Sequence, residues 1–346
     1  MKKLFTLCFS LVTITSTWAY DFEAGGLFYN ILSDSIPYTA EVTSHPGFPY
    51  DESITSITIP EQVMYGGITY TIKAIGSSAF ASCHKLSAVT IPNTITSIGS
   101  YAFKDCLSLT AITIPNSIAS IKDDAFANSG IYNDESNWED SVLYISDCLI
   151  QAKQGATGAY VIKDGTRLIA NVAFAGSSLT TITIPNTVTE IGFGAFQYSA
   201  LTSVIIPNGV TTIRSHAFYH SLSLKSVTLP NSITKIQRDA FRDCSTLTTV
   251  ICEAVQVPEC QHNIFYNIPF SEATLYVPEE SIEGYKSAIY WKDFGTILPI
   301  SNSSTDLECT PSDHMNHPSY IKMIHNGQIL ILRDGNTYNI MGMGIK

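Results

Sequence analysis

An Ala-Phe pair recurs along this chain, with its phenylalanine at Phe80, Phe103, Phe126, Phe174, Phe196, Phe218 and Phe241, so that successive steps in the numbering are 23, 23, 48, 22, 22 and 23. The clearest units around it read VTIPNTITSIGSYAFKDCLSL (89–109), ITIPNSIASIKDDAFANSGI (112–131) and ITIPNTVTEIGFGAFQYSAL (182–201), followed by VIIPNGVTTIRSHAFYHSLSL (204–224) and VTLPNSITKIQRDAFRDCSTL (227–247). A fixed period of this length marks one supersecondary coil per repeat. Within a unit, Val89 and Ile91, or Ile112 and Ile114, stand two apart and share one side of a short strand that proline then ends. A second apolar pair follows, Ile95 and Ile98 in one copy and Ile233 and Ile236 in another, and then the Ala-Phe. One unit has no second surface on which to bury these residues. Stacking at about 4.8 Å turns them into ladders, each coil serving as core for the next. The chain is therefore predicted to be a β-rich solenoid of about eight coils, with short strands and short helical turns. Its 346 residues count coils and not domains. Phe265, one further step beyond Phe241, reads as a degenerate eighth mark.

The IPNSVTSIG…AFxxCxxLxxVxIP pattern, as it stands at 91–114 and 206–229, resembles the BspA-type leucine-rich repeats of surface and secreted proteins from gut and oral anaerobes. The resemblance covers roughly residues 20–300 and implies a capped leucine-rich-repeat solenoid. Residues 21–34 and 63–80 resemble the N-terminal cap of such proteins, and 273–297 their closing segment. Caps are also a physical requirement, because a terminal coil left open shows strand edges and apolar rungs to water. The expected organisation is an N-terminal cap over 20–66, the solenoid over 67–300 with its closing segment at 273–300, a polar linker over 301–319 and a β tail over 320–346. In that tail, Asn326-Gly327 and Asp334-Gly335 mark tight turns between three short antiparallel strands. The tail is similar to the end of a type IX secretion sorting domain, which implies export across an outer membrane.

The long gap between Phe126 and Phe174 holds the least regular stretch, 131–163. It has an acidic loop at 133–140, three strand-like runs, and Lys163 in the place of the usual proline. The gap is one coil plus about 25 residues, room for an additional imperfect coil or a hairpin excursion, and the stretch reads as a widened coil with a protruding loop. The acids Asp134, Glu135, Glu139 and Asp140 match no calcium-loop spacing and read as solvated.

Lys2 and Lys3, the apolar run 4–14 and Thr17-Trp18-Ala19 read as a secretory signal peptide over 1–19, cleaved after Ala19. No other segment approaches the roughly 18 apolar residues that span a bilayer. Charged residues are 14% of the chain against 45% hydrophobic, and the net charge is −11 with no basic cluster, so nucleic acid and anionic membranes are not expected partners. Removal of the leader leaves seven cysteines. Cys83, Cys106 and Cys244 share one repeat position and read as a structural slot. Cys252 and Cys260 are either a disulfide or two buried thiols; Cys148 and Cys309 have no evident partner.

Signatures of chemistry are absent: no phosphate loop, no GxSxG and no HExxH. Asp313, His314 and His317 form a tight cluster, but Pro311 and Pro318 argue against the helix that metal binding needs. His216 and His220 straddle Phe218 without a paired carboxylate at a repeated inward position, and read as surface side chains. No enzyme and no cofactor is expected. What the repeat creates is surface. One candidate face is the hydroxyl-rich strip flanking the buried strand residue, with Thr90, Thr113, Thr181, Thr183, Ser203, Ser226 and Thr228; the competing face carries Tyr101, Phe193, Tyr198 and Tyr219 around the Ala-Phe mark. The resemblance implies a non-catalytic adhesion protein that contacts host or bacterial extracellular proteins. A glycan-binding accessory protein or glycosidase, recognisable by an aromatic-lined cleft with carboxylates about 5–10 Å apart, is the alternative from another class. A structural surface component without specific ligand is the third.

Overall fold

The computed structural model describes residues 20–45, 50, 53–153 and 155–300, together with the backbone of four strands after residue 319. The signal-peptide residues 1–19, the linker 301–319, Cys309 and the Asp313, His314 and His317 cluster lie outside the described residues.

The solenoid has about ten turns, somewhat more than the eight that the phenylalanine marks suggest. Each regular coil has three sides. The first is a strand such as Ser226–Leu229, paired in parallel with Ser203–Ile205 on one flank and Thr249–Cys252 on the other. Residues hold the repeat register across it, Val204 opposite Val227 opposite Val250. The second is a two-residue strand such as Lys235–Ile236, paired with Thr212–Ile213 and Glu259–Cys260. The third is the Ala-Phe turn, which is bonded to the next coil as regularly as a strand. Phe218 N–H donates to the Ala240 carbonyl at 2.8 Å, and His220 N–H to that of Arg242 at 2.8 Å.

That turn depends on a backbone feature with no plain sequence signature. Two residues before and two after each phenylalanine, φ is positive: Ser78 and Ser82, Tyr101 and Asp105, Asp124 and Asn128, His216 and His220, Asp239 and Asp243, Asn263 and Asn267. Glycine supplies one of the two in the coils of Phe174 and Phe196, where Gly176 faces Val172 and Gly194 faces Tyr198. In the coils of Phe103, Phe218 and Phe241 the residue three after the phenylalanine has its own task. Cys106 Sγ donates to the Phe80 carbonyl and Cys244 Sγ to the Phe218 carbonyl, both at 3.1 Å, and Ser221 Oγ reaches the Phe196 carbonyl at 3.0 Å. Cysteine and serine are thus interchangeable donors to the previous coil.

The rings stack along the core. Neighbouring centroids lie 5.6 and 5.4 Å apart from Phe80 through Phe103 to Phe126, and 5.2 to 5.5 Å apart from Phe174 to Phe265. Phe265 is fully part of the ladder. Tyr50 tilts onto Phe80 at the first end, its hydroxyl donating to the Thr43 carbonyl at 2.7 Å. Trp291 and Phe294 set their edges against Phe265 at the other. Ahead of the regular coils, Phe22–Ala24, Leu27–Ser33 and Thr39–Thr43 form an antiparallel meander, whose last strand pairs in parallel with Ile68–Ile75.

The long gap is both a coil and a hairpin. Val142–Ile145 and Cys148–Ala152 pair antiparallel, and Cys148 and Leu149 then pair in parallel with Leu168 and Ile169. Ala152 N–H donates to the Ala173 carbonyl at 2.8 Å, the bond that phenylalanine makes elsewhere. The hairpin is therefore a rung of its own with alanine in the aromatic slot, which breaks the ring stack between Phe126 and Phe174. Alternation along it divides the core: Leu143, Ile145, Cys148 and Ile150 pack with the N-terminal half, Val142, Leu149 and Ala152 with the C-terminal half. The tail has four antiparallel strands and not three, Tyr320–His325, Gln328–Arg333, Asn336–Asn339 and Gly344–Ile345.

Candidate binding surfaces

The strand-side residues fall into rows. Ser203 stands opposite Ser226, and Ile205 opposite Thr228, in a five-stranded parallel sheet that continues to Thr296–Pro299. Thr181 and Thr183 lie opposite Ala159 and Val161 in a separate pair of strands, and Thr90 opposite Thr58 in another. Thr90 and Thr113 are exposed, whereas Thr181, Thr183, Ser203, Ser226 and Thr228 are half-buried between neighbouring rows. At Thr113 the row is interrupted. The next amide, that of Ile114, donates to the Ser146 hydroxyl of the hairpin at 3.3 Å, in place of a strand carbonyl. This strip is flat, hydroxyl-bearing and short of charge.

The turn side differs. Phe193, Tyr198 and Tyr219 are brought together, and Tyr101 is left in the coil of Phe103 beyond the hairpin, with the Lys104 ammonium 5.3 Å from its ring centroid. Phe193 lies 5.0 Å from the His216 ring, His216 5.2 Å from Tyr219, and Tyr219 5.4 Å from Tyr198 at nearly a right angle. His220 sits 5.2 Å from Tyr198. The tyrosine hydroxyls interact, which pushes the Tyr219 phenol up.

His216 corrects the sequence reading. It is not a plain surface side chain and it does have a carboxylate: Nε2 is 3.7 Å from Asp239 Oδ2, and its Nδ1 is buried without a hydrogen-bond partner. Burial holds its imidazole below the ordinary value, aided by the charges of Arg238 and Arg242 and opposed by Asp239. Asp239 also receives Arg238 at 3.3 Å and Arg242 at 3.5 Å, and Arg242 reaches Asp243 and lies 4.9 Å from the Tyr266 ring centroid. The pairing was hidden because position 239 lies one full coil further along the chain. The equal offset of His216 and Asp239 from Phe218 and Phe241 is the signal that would have revealed it.

The hairpin coil provides a third feature, a cleft of about 420 Å³ lined by Tyr132, Asn133, Glu135, Trp138, Gln151, Ala152 and Lys153. Trp138 Nε1 donates to the Tyr132 carbonyl at 2.8 Å, and the Lys153 ammonium lies 4.8 Å from the Trp138 centroid. The loop acids are engaged: Glu135 pairs with Lys153, Glu139 with Lys163 at 2.9 Å, and Asp134 caps a short turn by accepting from Ser136 N–H. No group of three metal-ligating side chains occurs among the described residues.

The cysteines have no such reach. Cys252 and Cys260 are free thiols on different strands, and Cys252 Sγ meets the Tyr285 hydroxyl at 3.2 Å. Burial pushes the thiols of Cys106, Cys148 and Cys244 up to about 12, so none is a ready nucleophile.

Among known proteins, the family model described as the BspA type leucine rich repeat region matches residues 44–151 and 167–289 in six copies. No curated protein matches the chain. Several solved structures are similar to it. A leucine rich cell surface protein from Faecalibacterium prausnitzii A2-165 shares 20% identity over 82% of this chain and 95% of its own, with a TM-score of 0.32. The T. pallidum leucine rich repeat protein shares 23% identity over 66% and 90%, with a TM-score of 0.31. The pneumococcal vaccine antigen PcpA shares 15% identity over 81% and 98%, with a TM-score of 0.35.

Proposed function

The chain belongs to the BspA-type leucine-rich repeat family, and from that premise we propose that it is an exported, non-catalytic protein that binds other extracellular proteins, of a host or of neighbouring bacteria. The observation that carries this reading is the contrast between the inside and the outside of the coils. Inside, one solution repeats: Ala102-Phe103, Ala195-Phe196, Ala217-Phe218 and Ala240-Phe241 are all fully buried. Outside, the flanking residues change from coil to coil, from Asn128 to Gly176 to Tyr198 to His220 two places after the phenylalanine, none of them buried. A scaffold that is uniform within and varied on its long surface suits recognition of an extended partner. Family members are surface proteins, and no helix among the described residues is long and apolar enough to cross a membrane. The leader at 1–19 and the tail at 320–346 give the proposed route, the tail acting as a type IX sorting signal. Deleting 320–346 then traps the protein inside the outer membrane, and unchanged surface display would remove that part of the reading.

The binding reading is tested by flowing the purified chain over immobilised extracellular matrix proteins, bacterial surface proteins and polysaccharides. Saturable binding to a protein supports it. Binding to polysaccharide alone replaces it with the second reading, a glycan-binding protein, for which the cleft with Tyr132 and Trp138 is the favouring observation.

A further inference from the structure

Left-handed backbone is cheap for glycine, tolerable for Asn, Asp and His, and costly for other side chains. Each Ala-Phe turn demands it twice. Serine, aspartate, asparagine or glycine fills most of these positions; the bulky exceptions are Tyr101, Val172, Tyr198, His216 and His220. Two of the five are histidines, which tolerate the conformation; of the costly three, Tyr198 lies in the coil of Phe196, next to the histidines of the Phe218 coil. There Tyr198 gains little burial: it is 52% exposed, at a position that is glycine, Gly176, in the preceding coil. The fold does not need a tyrosine at that place, yet the ring joins a partly exposed cluster with Phe193, Tyr219 and His220.

The next coil gives the cluster its charge. Asp239 and Asp243 are sunk, with side chains 9% and 18% exposed, while the guanidinium groups of Arg238 and Arg242 stand out at 51% and 36%. A patch balanced in formal charge therefore shows its cationic side to solvent, on a chain whose net charge is −11. Tyrosine and arginine side by side are the residue types that dominate protein hot spots. The ring of Tyr219 meets those of Tyr198 and His216 edge to face, so the cluster offers steeply inclined rings and no common flat platform. Such a surface suits side chains of a protein better than the flat face of a sugar. Three coils at about 4.8 Å span roughly 10 Å, the length of about three extended residues.

Building on the binding role proposed above, we propose that the surface formed by Phe193, Tyr198, Tyr219, His220, Arg238 and Arg242 is the contact site, and that its partner is an acidic protein segment with Asp or Glu beside an apolar side chain. The carboxylates meet the two guanidinium groups in the rim, and the apolar side chain packs on the rings.

The test pans a random dodecapeptide display library against the purified full chain. The expected consensus pairs Asp or Glu with an aromatic or aliphatic residue. A synthetic consensus peptide then binds more weakly as salt is raised, and at least about tenfold more weakly to the Arg238→Gln/Arg242→Gln double variant and to Tyr198→Gly. Tyr198→Gly separates contact from structure: relief of the left-handed tyrosine leaves its melting temperature equal or higher while binding falls. A lower melting temperature with unchanged peptide affinity overturns the proposal. A basic or uncharged consensus overturns it too. If Ser226→Lys and Thr228→Lys on the strand strip abolish peptide binding and the patch variants do not, this site assignment falls and the binding role stands. If no peptide is enriched and only polysaccharide binds, both fall.

Discussion

Phe218 and Phe241, one repeat apart in the chain, stack with centroids 5.2 Å apart and ring planes within 2° of parallel. Each ring is the floor of the next coil and the roof of the last. Phe218→Ala removes contacts on both sides of the ladder and leaves a gap that the rigid coil spacing cannot close. The expected cost is about 3–5 kcal/mol, read as a lowered urea midpoint of the purified chain. Since coils touch only their neighbours, hydrogen exchange should speed first in the coils of Phe196, Phe218 and Phe241, and not at Phe80.

Cys244 is buried among apolar groups, where a serine would ordinarily be costly. Here the slot expects a donor: Ser221 occupies the same place one coil earlier and hydrogen-bonds the same type of carbonyl. Cys244→Ser is therefore expected to change stability by less than about 1 kcal/mol, whereas Cys244→Val leaves the Phe218 carbonyl without this donor and costs about 1–3 kcal/mol. Urea denaturation of the two variants side by side decides the matter. The same burial predicts that Cys244 resists alkylation until the chain unfolds, which mass mapping reads directly.

Gly99 shows how tight the corner before the Ala-Phe turn can be. A Cβ there would lie 2.5 Å from the backbone of Gly76 and Ser77, atoms that cannot step aside. Gly192 approaches the backbone of Ala170 and Asn171 as closely at the equivalent place, whereas Lys122 and Arg214 hold that place in other coils, so the close approach recurs in some coils and not in all. Gly99→Ala is expected to cost about 1–3 kcal/mol as an overpacking change, seen as a lowered melting temperature.

Much of this was legible in the sequence. Spacing alone located the ring ladder, because Phe80 through Phe241 keep one period, and it even placed Lys163 in a proline's position. The Cys83, Cys106 and Cys244 slot was visible as well, though not its task of donating to the previous coil. What stayed hidden was conformation without composition. Positive φ at Tyr101, Tyr198 and His216 cannot be inferred from residues that seldom adopt it, although Asp, Asn and Gly at equivalent positions point to it once the units are aligned. The hairpin's role as a rung was hidden because Ala152 takes the phenylalanine's place without resembling it. The histidine and carboxylate pair of His216 and Asp239 was obscured by looking within a coil, when the solenoid makes neighbours of side chains a full repeat apart.

Val172 is the least comfortable of the left-handed residues, since a β-branched side chain at φ 49° crowds its own backbone. It is half-buried, and its N–H donates to the Phe193 carbonyl at 2.9 Å. Val172→Asn keeps that bond and suits the conformation, as Asn263 shows two residues before Phe265. The expected gain is about 1 kcal/mol, and a fall in the melting temperature would show that packing of the valine outweighs its strain.

His216 ties stability to pH. Its imidazole is held below the ordinary 6.5 mainly by burial, with Arg238 and Arg242 adding to the effect and Asp239 opposing it. Protonation would also place a second N–H at the buried Nδ1, where no acceptor waits. The unfolded chain therefore takes up a proton at this residue before the folded one does. Stability from neutral His216 is fully present above about pH 6.5, begins to fall below it, and is lost once pH passes the lowered folded value. Unfolding free energy measured by urea titration between pH 7.5 and 4.5 should decline more gently in His216→Gln than in the wild type. Equal slopes would mean that Asp239 compensates the burial and that the imidazole titrates alike in both states.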